Sequence, residues 1–447
     1  MAPAPRPPLR LIESPPAPAA PPRPPLELAA LGTGLVFVCV LLANVSSWRA
    51  ELGRWQALMA VAFVFYGAAL WRVRRGPEAP QTGPVLLAVA IAARLALFPV
   101  TPTLSDDVWR YVWEGKVVAH GGDPYHQAPA DPALAPLRDR VVHPRINHPD
   151  LATIYPPFAI AGFALVARLS ATLWAMKGWI VLHDLALVLV LMAWIRRRTG
   201  RAGPVLAYAW NPLVLAEYAG NAHHDPTALL WLVVALAWVD RRPVASAGAL
   251  GIAVGTKLAP VLALPALLRR WTWPARAVAL VLVALVAIVY GALTRGASSG
   301  LGAYWRSWSN NELAFHYLTL AVRDGTLARA LVLGMLAGAA VVLAWRHVDP
   351  AAAARTLLRA GVVLGPVVHP WYLGWVLVLE PLGPSAPWLL LSATVLLSYG
   401  VFAPPLEGGA FHLPLVWRWV EYGLPVLLAG GLALARRRRG SSPGEAA

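Results

Sequence analysis

Two adjacent aspartates open the most polar stretch of this sequence. Asp106 and Asp107 follow an apolar run and precede the segment VWRYVWEGKVVAHGGDPY. A carboxylate at such a position can accept the proton of an attacking hydroxyl group. The other interpretation is structural: Ser105 caps a helix, and the helix dipole favours both aspartates in the first turn. Both interpretations stay open, because a residue at a helix start can also be catalytic.

The helix predicted after the aspartates carries charges at regular spacing. Arg110 and Glu114 are four residues apart and share a face, as do Asp107 and Tyr111. The guanidinium of Arg110 or the ammonium of Lys116 would suit a phosphate group, but either would equally suit lipid headgroups. The pattern predicts an amphipathic helix along a membrane surface, with its valines and tryptophans partly facing lipid or protein.

Other polar clusters lie far apart in the sequence. They contain Tyr155 in HPRINHPDLATIYPPF; Glu217, His223, His224 and Asp225 in WNPLVLAEYAGNAHHDP; Arg306 in YWRSWSNNELAFHYL; and His369, Trp371 and Tyr372 in VVHPWYLGW. Ionisable residues at membrane depth are functional candidates, although Asp225 can also cap the helix that Pro226 begins. Trp371 can stack on a sugar ring or belong to an interfacial aromatic belt.

The sequence predicts no metal site. His143 and His148 lack the helical spacing and the cysteine partners of common zinc sites, so loop packing is the better interpretation. The single cysteine excludes an intrachain disulfide and a cysteine-rich metal site. Lys257 interrupts an apolar run and is expected to pair with an acid or to reach a headgroup. Arg418 and Glu421 are expected to form a structural pair at the start of the last span.

The composition is that of a membrane protein. Of 447 residues, 58% are hydrophobic and 13% are charged, whereas a soluble domain contains about 25% charged residues. Apolar runs of about 17–25 residues recur and are long enough to cross a bilayer as helices. The net charge of +16 reflects arginines clustered between these runs. This is the positive-inside distribution of membrane proteins, so we do not expect nucleic-acid binding.

These runs predict an all-α, polytopic membrane bundle, with about 12–14 spanning helices and external juxtamembrane helices. The predicted spans are 27–47, 55–72, 83–100, 178–195, 202–217, 226–239, 244–258, 259–269, 274–293, 327–345, 354–369, 370–382, 386–402 and 419–435. Segment 156–177 is predicted to be an external juxtamembrane helix. Prolines and glycines make the runs 244–269 and 366–384 candidates for broken or short helices.

The arginine clusters orient the predicted bundle. With these spans, the clusters at helix ends all lie on the cytoplasmic side. The predicted membrane domain is 27–435, and its first large external loop is 101–177. Residues 1–26 are rich in proline and predict a disordered cytoplasmic tail. Residues 436–447 form a second cytoplasmic tail, and segment 403–418 is external.

Four motifs together resemble those of the GT-C superfamily of integral membrane glycosyltransferases. They are DDVWRYVWEGKVVAHGGDPY, INHPDLATIYPP, WNPLVLAEYAGNAHHD and HPWYLGW, whose order and spacing match from about residue 83 to about residue 425. The similarity is greatest to bacterial mannosyltransferases that use polyprenyl-phosphate sugars. It implies a GT-C-like bundle in the bacterial inner membrane, with the active site on the external face and both termini in the cytoplasm.

The resemblance also implies roles for individual residues. An acidic catalytic residue in the first external loop corresponds to Asp106 or Asp107. The cationic partners of the donor phosphate would be Arg110, Lys116, Arg306 and His369. The residues assigned to acceptor or sugar binding are Tyr111, Glu114, Tyr155, Glu217, His223, His224, Asp225, Trp371 and Tyr372.

The resemblance implies the transfer of a hexose to a lipid- or glycan-linked acceptor, with inversion at the anomeric carbon. Mannose is the commonest donor sugar among the similar enzymes. The donor is a polyprenyl-phosphate sugar, the partners are a glycolipid or polysaccharide acceptor and membrane lipids, and no metal or other cofactor is obligatory. The alternatives are a transporter or flippase of lipid-linked sugars, a non-catalytic scaffold, and a polysaccharide polymerase or ligase. The acids cluster at one predicted face, whereas transporters often hold polar sites near the bilayer midplane.

Overall fold

The computed structural model describes residues 25–75, 78–295, 299–403 and 413–440. Within these ranges every regular element is helical, apart from one isolated bridge between Asn310 and Val367. Most of both predicted tails lies outside the described residues, at 1–24 and 441–447. Residues 404–412 of the predicted external segment 403–418 lie outside them as well.

Sixteen α-helices of seven or more residues are described, and we number them in chain order. They are α1 Leu26–Ala43, α2 Leu52–Arg75, α3 Thr82–Leu97, α4 Asp107–Ala119, α5 Pro157–Leu169, α6 Leu173–Thr199, α7 Pro226–Trp238, α8 Pro243–Thr256, α9 Leu264–Arg270, α10 Trp273–Leu293, α11 Gly300–Ser307, α12 Ala314–Val322, α13 Gly325–Trp345, α14 Pro350–Leu364, α15 Ala386–Thr394 and α16 Leu415–Gly440.

Shorter helical segments connect these helices. The short α-helices are Leu206–Ala209, Pro212–Val214 and Leu373–Leu377, and a π-helix spans Leu215–Gly220. The 3₁₀ segments are Pro132–Leu137, His143–Arg145, Gly203–Val205, Ala259–Ala263, Pro370–Tyr372, Glu380–Leu382 and Val395–Phe402.

Local side-chain chemistry sets several helix boundaries. The side chain of Thr172 accepts a hydrogen bond from a backbone N–H in the first turn of α6, and Asp324 and Asp349 do the same for α13 and α14. Such caps satisfy backbone donors that have no partner inside the helix. The α6 helix ends at Gly200, whose positive φ of 72° suits a residue without a Cβ atom.

The helices have the lengths and composition of a membrane bundle. Five of them, α1, α2, α6, α10 and α13, are long and apolar enough to cross a bilayer, and shorter apolar helices accompany them. The predicted all-helical, polytopic membrane bundle is therefore confirmed, and the chain is a multi-pass membrane protein. The predicted number of crossings stays a prediction.

The prediction of one continuous span at 202–217 was wrong. The chain turns at Trp210 and Asn211 and then continues as a short helix and the π-helix. Pro212 lacks a backbone N–H and therefore begins a new helix, whose first turn is capped by the side chain of Asn211. The segment 156–177 is likewise not one helix, because it breaks between α5 and the Thr172 cap of α6.

The broken helices predicted at 244–269 and 366–384 are confirmed. The first run divides into α8, a 3₁₀ turn and α9, and the second into Pro370–Tyr372, Leu373–Leu377 and Glu380–Leu382. Prolines stand at or near the start of the segments after each break, where a missing backbone N–H costs nothing.

The arginine-rich helix ends gather at one end of the bundle. Arg198 pairs with Asp349 at 3.2 Å, and Arg270 pairs with Asp240 at 2.8 Å. Arg74 donates to the carbonyl oxygen of Pro384 at 3.2 Å. These contacts join the ends of helices that are distant in sequence, as the predicted topology requires. That this end is cytoplasmic stays a prediction.

The α4 helix is enclosed by protein, so its valines and tryptophans face protein, which is one of the two surroundings predicted for them. That the helix lies along a membrane surface stays a prediction. Its residues from Val108 to Gly115 are all buried. The reason is that α5 packs along one side of it, with Gly115 facing the backbone of Phe163. The loop between α4 and α5 covers a further side through contacts described below.

We expect Gly115→Ala to destabilise the protein. A Cβ atom at this position would lie 2.3 Å from the carbonyl oxygen of Phe163, so α4 and α5 would have to separate. Overpacking of this kind costs about 1–3 kcal/mol. Thermal unfolding of the detergent-solubilised protein measures the effect. Gly67→Ala in α2 is the matched control, because its Cβ would meet no atom within 4 Å. Equal melting temperatures for Gly115→Ala and wild type would contradict this packing.

Candidate active site

The two aspartates occupy different positions at the start of α4. Asp106 is the N-cap residue and Asp107 is the first helical residue. Ser105, which we expected to be the N-cap, lies one position earlier, and its hydroxyl accepts a hydrogen bond from the Asp107 N–H at 3.3 Å. The helix therefore begins one residue later than the capping pattern predicts.

Asp107 is held in place from one side only. The Nδ2 group of Asn147 donates to its Oδ1 atom at 2.8 Å. The side chain of Asp107 is 26% exposed, and its Oδ2 atom lies 4.0 Å from Nε2 of His223. Asn147 belongs to the INHPD motif, but nothing in the sequence indicated that it would orient the aspartate. The arrangement fixes the carboxylate and leaves part of it accessible.

Asp106 is exposed and makes no side-chain capping hydrogen bond. Partial loss of surrounding water raises the pKa of its carboxyl group above the ordinary value, and the Asp107 carboxylate adds to this effect, against the Arg49 guanidinium, which lowers the pKa. Asp106 is therefore less firmly oriented than Asp107.

Glu217 and His223 lie behind Asp107, inside the protein. Both side chains are fully buried inside the protein. Nε2 of His223 lies 3.0 Å from the Ser105 hydroxyl, and its Nδ1 lies 3.1 Å from Oε2 of Glu217. The hydroxyl of Tyr399 donates to the other oxygen of Glu217 at 2.8 Å. Tyr399 gave no signal in the sequence.

The π-helix explains how these two residues meet. It places Glu217 one wide turn before His223, whose backbone N–H donates to the Glu217 carbonyl oxygen at 3.0 Å. Between them, Ala222 has a positive φ of 61°, which directs the chain back under α4. Backbone of this kind is uncommon outside glycine and concentrates at functional sites.

Trp371 is enclosed between two imidazole rings. His223 stacks on one face at a centroid distance of 3.7 Å, and His369 stacks on the other at 4.2 Å. The Nδ2 group of Asn310 is 2.9 Å from Nδ1 of His369 and fixes the outer ring. Since both faces of Trp371 are occupied, neither is free to stack on a sugar ring.

Asp225 and His224 are also buried. The Oδ1 atom of Asp225 accepts hydrogen bonds from Lys257 and from the indole of Trp375, each at 2.7 Å. Asp225 precedes α7 but makes no side-chain capping bond. Lys257 therefore pairs with an acid, as expected. The ring of His224 packs edge-on against Tyr111, Tyr155 and Phe163.

The cations of α4 have partners within the protein. Arg110 pairs with Glu114 at 2.8 Å and donates to the carbonyl oxygens of Asn147, His148 and Leu151. These bonds hold the loop before α5 against α4, and Thr153 completes the setting with a 2.7 Å bond to Glu114.

Lys116 is used in a similar way. Its ammonium pairs with Asp139 at 3.0 Å and donates to the carbonyl oxygen of Leu137. The structure thus gives both predicted phosphate-binding cations of α4 a role in fixing the loop between α4 and α5. Near the last helix, Arg418 pairs with Glu312 at 3.4 Å, and Asn311 donates to Glu421, so the expected Arg418–Glu421 pair was wrong.

A largely apolar cavity of about 500 Å³ lies beside α11. It is lined by Leu258, Thr294, Ser299, Leu301, Gly302, Trp305 and Arg306. The hydroxyl of Tyr304, on the same helix, is 3.2 Å from that of Tyr372, and the Lys257 ammonium lies over the Tyr372 ring at 5.6 Å. Trp308, which follows α11, contacts the ring of His148 beside Asn147 at a centroid distance of 4.7 Å.

The geometry thus joins a partly accessible carboxylate, a buried histidine–glutamate pair and an apolar cavity with a cation at its wall. Among the described residues, no group of three or more His, Cys, Asp or Glu side chains is arranged to hold a metal ion.

The family model described as alpha-(1->6)-mannopyranosyltransferase, N-terminal domain, matches residues 26–276, more than half of the chain. The chain belongs to this family. The resemblance to GT-C mannosyltransferases is confirmed, and the family supports mannosyltransferase activity. No curated protein and no solved structure matches the chain. The matched residues of this mannosyltransferase include both aspartates, Glu217 and His223, but not Tyr399 or the 304–308 and 369–372 segments.

We expect Arg110→Met to lower stability by about 3–5 kcal/mol, because it leaves the buried Glu114 carboxylate without its cation. The double variant Arg110→Met/Glu114→Leu removes both charges and should recover part of the loss. Denaturant or thermal unfolding measures both. A donor-binding role without a structural role predicts the reverse: unchanged stability and a raised KM for the donor.

Proposed function

We propose that the protein transfers mannose from a polyprenyl-phosphate donor to a hydroxyl group of a lipid- or glycan-linked acceptor, on the external face of the bacterial inner membrane. Family membership supports the mannosyl transfer. The observation that carries the mechanism is Asp107, fixed by Asn147 on one oxygen and partly accessible, at the start of a buried helix.

In this mechanism Asp107 is the general base. The acceptor oxygen attacks the anomeric carbon of mannose, and its proton passes to the Asp107 carboxylate. The bond from the anomeric carbon to the phosphate oxygen breaks, and the electron pair leaves with the phosphate. Attack opposite the leaving group inverts the anomeric configuration. Asp107 is favoured over Asp106 because the Asn147 amide orients its carboxylate, and orientation contributes strongly to catalysis.

His223 and Glu217 support the base from behind. Glu217 fixes the imidazole through Nδ1, and the other ring nitrogen faces Ser105 and Asp107. The ring is also held flat against Trp371. Since these side chains are buried, they position the base and do not contact the acceptor directly in this arrangement. This modifies the acceptor-binding role that the sequence suggested for them.

The apolar cavity beside α11 suits the donor. A polyprenyl chain needs an apolar surface continuous with lipid, and its phosphate needs a cation nearby. Arg306 lines the cavity, is exposed, and forms no ion pair within the described part of the chain. Lys257 precedes another lining residue, Leu258, and is itself 20% exposed. We assign the donor phosphate to the space near these two cations, in place of Arg110 and Lys116.

Asp107→Asn should reduce mannosyl transfer by about 10²–10⁴-fold, the usual contribution of a general base. The assay offers polyprenyl-phosphate [³H]mannose and a membrane glycolipid fraction to the purified protein in nanodiscs. Asp106→Asn is the matched control, with a smaller expected loss, since Asp106 lacks the orienting bonds of Asp107.

Full activity of Asp107→Asn would remove Asp107 from the mechanism, and a larger loss in Asp106→Asn would transfer the role to its neighbour. In sealed vesicles, movement of intact donor across the bilayer without mannose transfer would instead indicate a flippase.

Arg306→Gln should raise the KM for the donor about tenfold, the effect of losing about 1.4 kcal/mol of phosphate binding, with a small change in kcat. Arg323→Gln is the control, because Arg323 is exposed at the end of α12 and does not line the cavity. The two donor KM values are compared in the same nanodisc assay. Equal values for the two variants would place the donor phosphate elsewhere.

A further inference from the structure

Lys177 is a buried cation that the mechanism above does not use. It lies in the second turn of α6, and its side chain is fully buried. Its ammonium donates to the carbonyl oxygen of Val100 at 2.5 Å and to that of Gly220 at 3.0 Å. Within the described ranges it forms no ion pair with a carboxylate. Burying a charge without a counter-charge is costly, so this placement calls for a specific reason.

The carbonyl groups of Val100 and Gly220 explain why an amine is placed here. Val100 lies three residues after the end of α3, and Gly220 is the last residue of the π-helix. Carbonyl oxygens at the end of a helix lack intrahelical donors and carry partial negative charge. An ammonium group has three donors in a compact volume and can satisfy both at once. The rings of Phe98 and Trp174 flank it, each with its centroid 5.8 Å away.

Each of these carbonyl groups stands a few residues before a residue of the site. The chain continues from Val100 to Ser105 and Asp107, and from Gly220 to His223. The two segments meet again where Ser105 contacts His223 at 3.0 Å. Segments 100–105 and 220–223 are therefore joined at both ends, by Lys177 at one end and by the Ser105–His223 contact at the other. These two joins set the distance between Asp107 and His223.

We propose that Lys177 is a positioning residue, which sets the spacing of Asp107 and His223 by tying the exits of α3 and the π-helix to α6. This inference rests on the proposed function, because it assigns catalytic use to that spacing. Lys177 touches neither substrate in this arrangement. A neutral side chain could fill the space, but it could not hold both carbonyl groups.

The test compares Lys177→Met with Lys177→Arg and with Gly178→Ala. Methionine keeps the length of the side chain and removes its donors, whereas arginine keeps charge and donors. Gly178 is the neighbouring residue, and a Cβ there would meet no atom within 4 Å. We expect Lys177→Met to lower kcat by about 10²-fold with little change in the donor KM, as for a misplacement of about 1 Å. Lys177→Arg should retain part of the activity, and Gly178→Ala should match wild type.

Amide hydrogen exchange provides a readout that does not depend on activity. In Lys177→Met, exchange should increase in residues 98–107 and 220–224, while α1, α2 and α13 stay protected as in wild type. A uniform increase in exchange over all helices would show a general structural role and overturn the proposal. The proposal would also be overturned if Lys177→Met changed neither kcat nor the exchange rates.

Failure of the proposed function gives a different result. In that case the wild-type protein transfers no mannose from the polyprenyl-phosphate donor. The local exchange change in Lys177→Met would then still show that Lys177 ties the two segments, and only the catalytic use of that tie would be lost.

Discussion

The contact between Ser105 and His223 joins positions 118 residues apart, and the geometry of the site depends on it. One partner precedes α4, and the other follows the π-helix. Polar groups buried away from water need partners, and in a network each partner fixes the next. His223 also contacts Glu217, which accepts a hydrogen bond from Tyr399, and the imidazole ring of His223 stacks on Trp371.

Part of this arrangement could be predicted from the sequence, because the signals were local. The paired aspartates at a helix start follow from capping chemistry, and the breaks at 244–269 and 366–384 follow from proline. The burial of Glu217, His223 and Asp225 could not be predicted, since hydropathy does not distinguish a polar turn outside the membrane from a polar cluster inside a bundle. Asn147, Lys177 and Tyr399 were missed because their roles depend on long-range contacts.

Arg110 illustrates how one local signal can support two different roles. Its spacing from Glu114 was visible, and an ion pair between them was as consistent with the sequence as phosphate binding. Burial favours the ion pair, because with both side chains inside the protein each charge requires the other. The same rule accounts for Lys257 and Asp225. Because the pair remains partly exposed at Lys257, it can also face a ligand.

The site is built from both halves of the chain. The proposed base, Asp107, and His223 lie within the family match at 26–276, whereas Trp371, Tyr399 and Arg306 come from later segments. In an inverting displacement the base and the phosphate lie on opposite sides of the anomeric carbon. A cation close to Asp107 would hold its carboxylate in the charged form and weaken it as a proton acceptor. In the proposed mechanism, Arg110 is neutralised by Glu114 near the base, and Arg306 at the apolar cavity has no ion-pair partner among the described residues. Proton acceptance and phosphate release would then be separated. This division requires that the later half of the chain be docked correctly on the first, and the stack of His223, Trp371 and His369 is one of the places where the two halves meet.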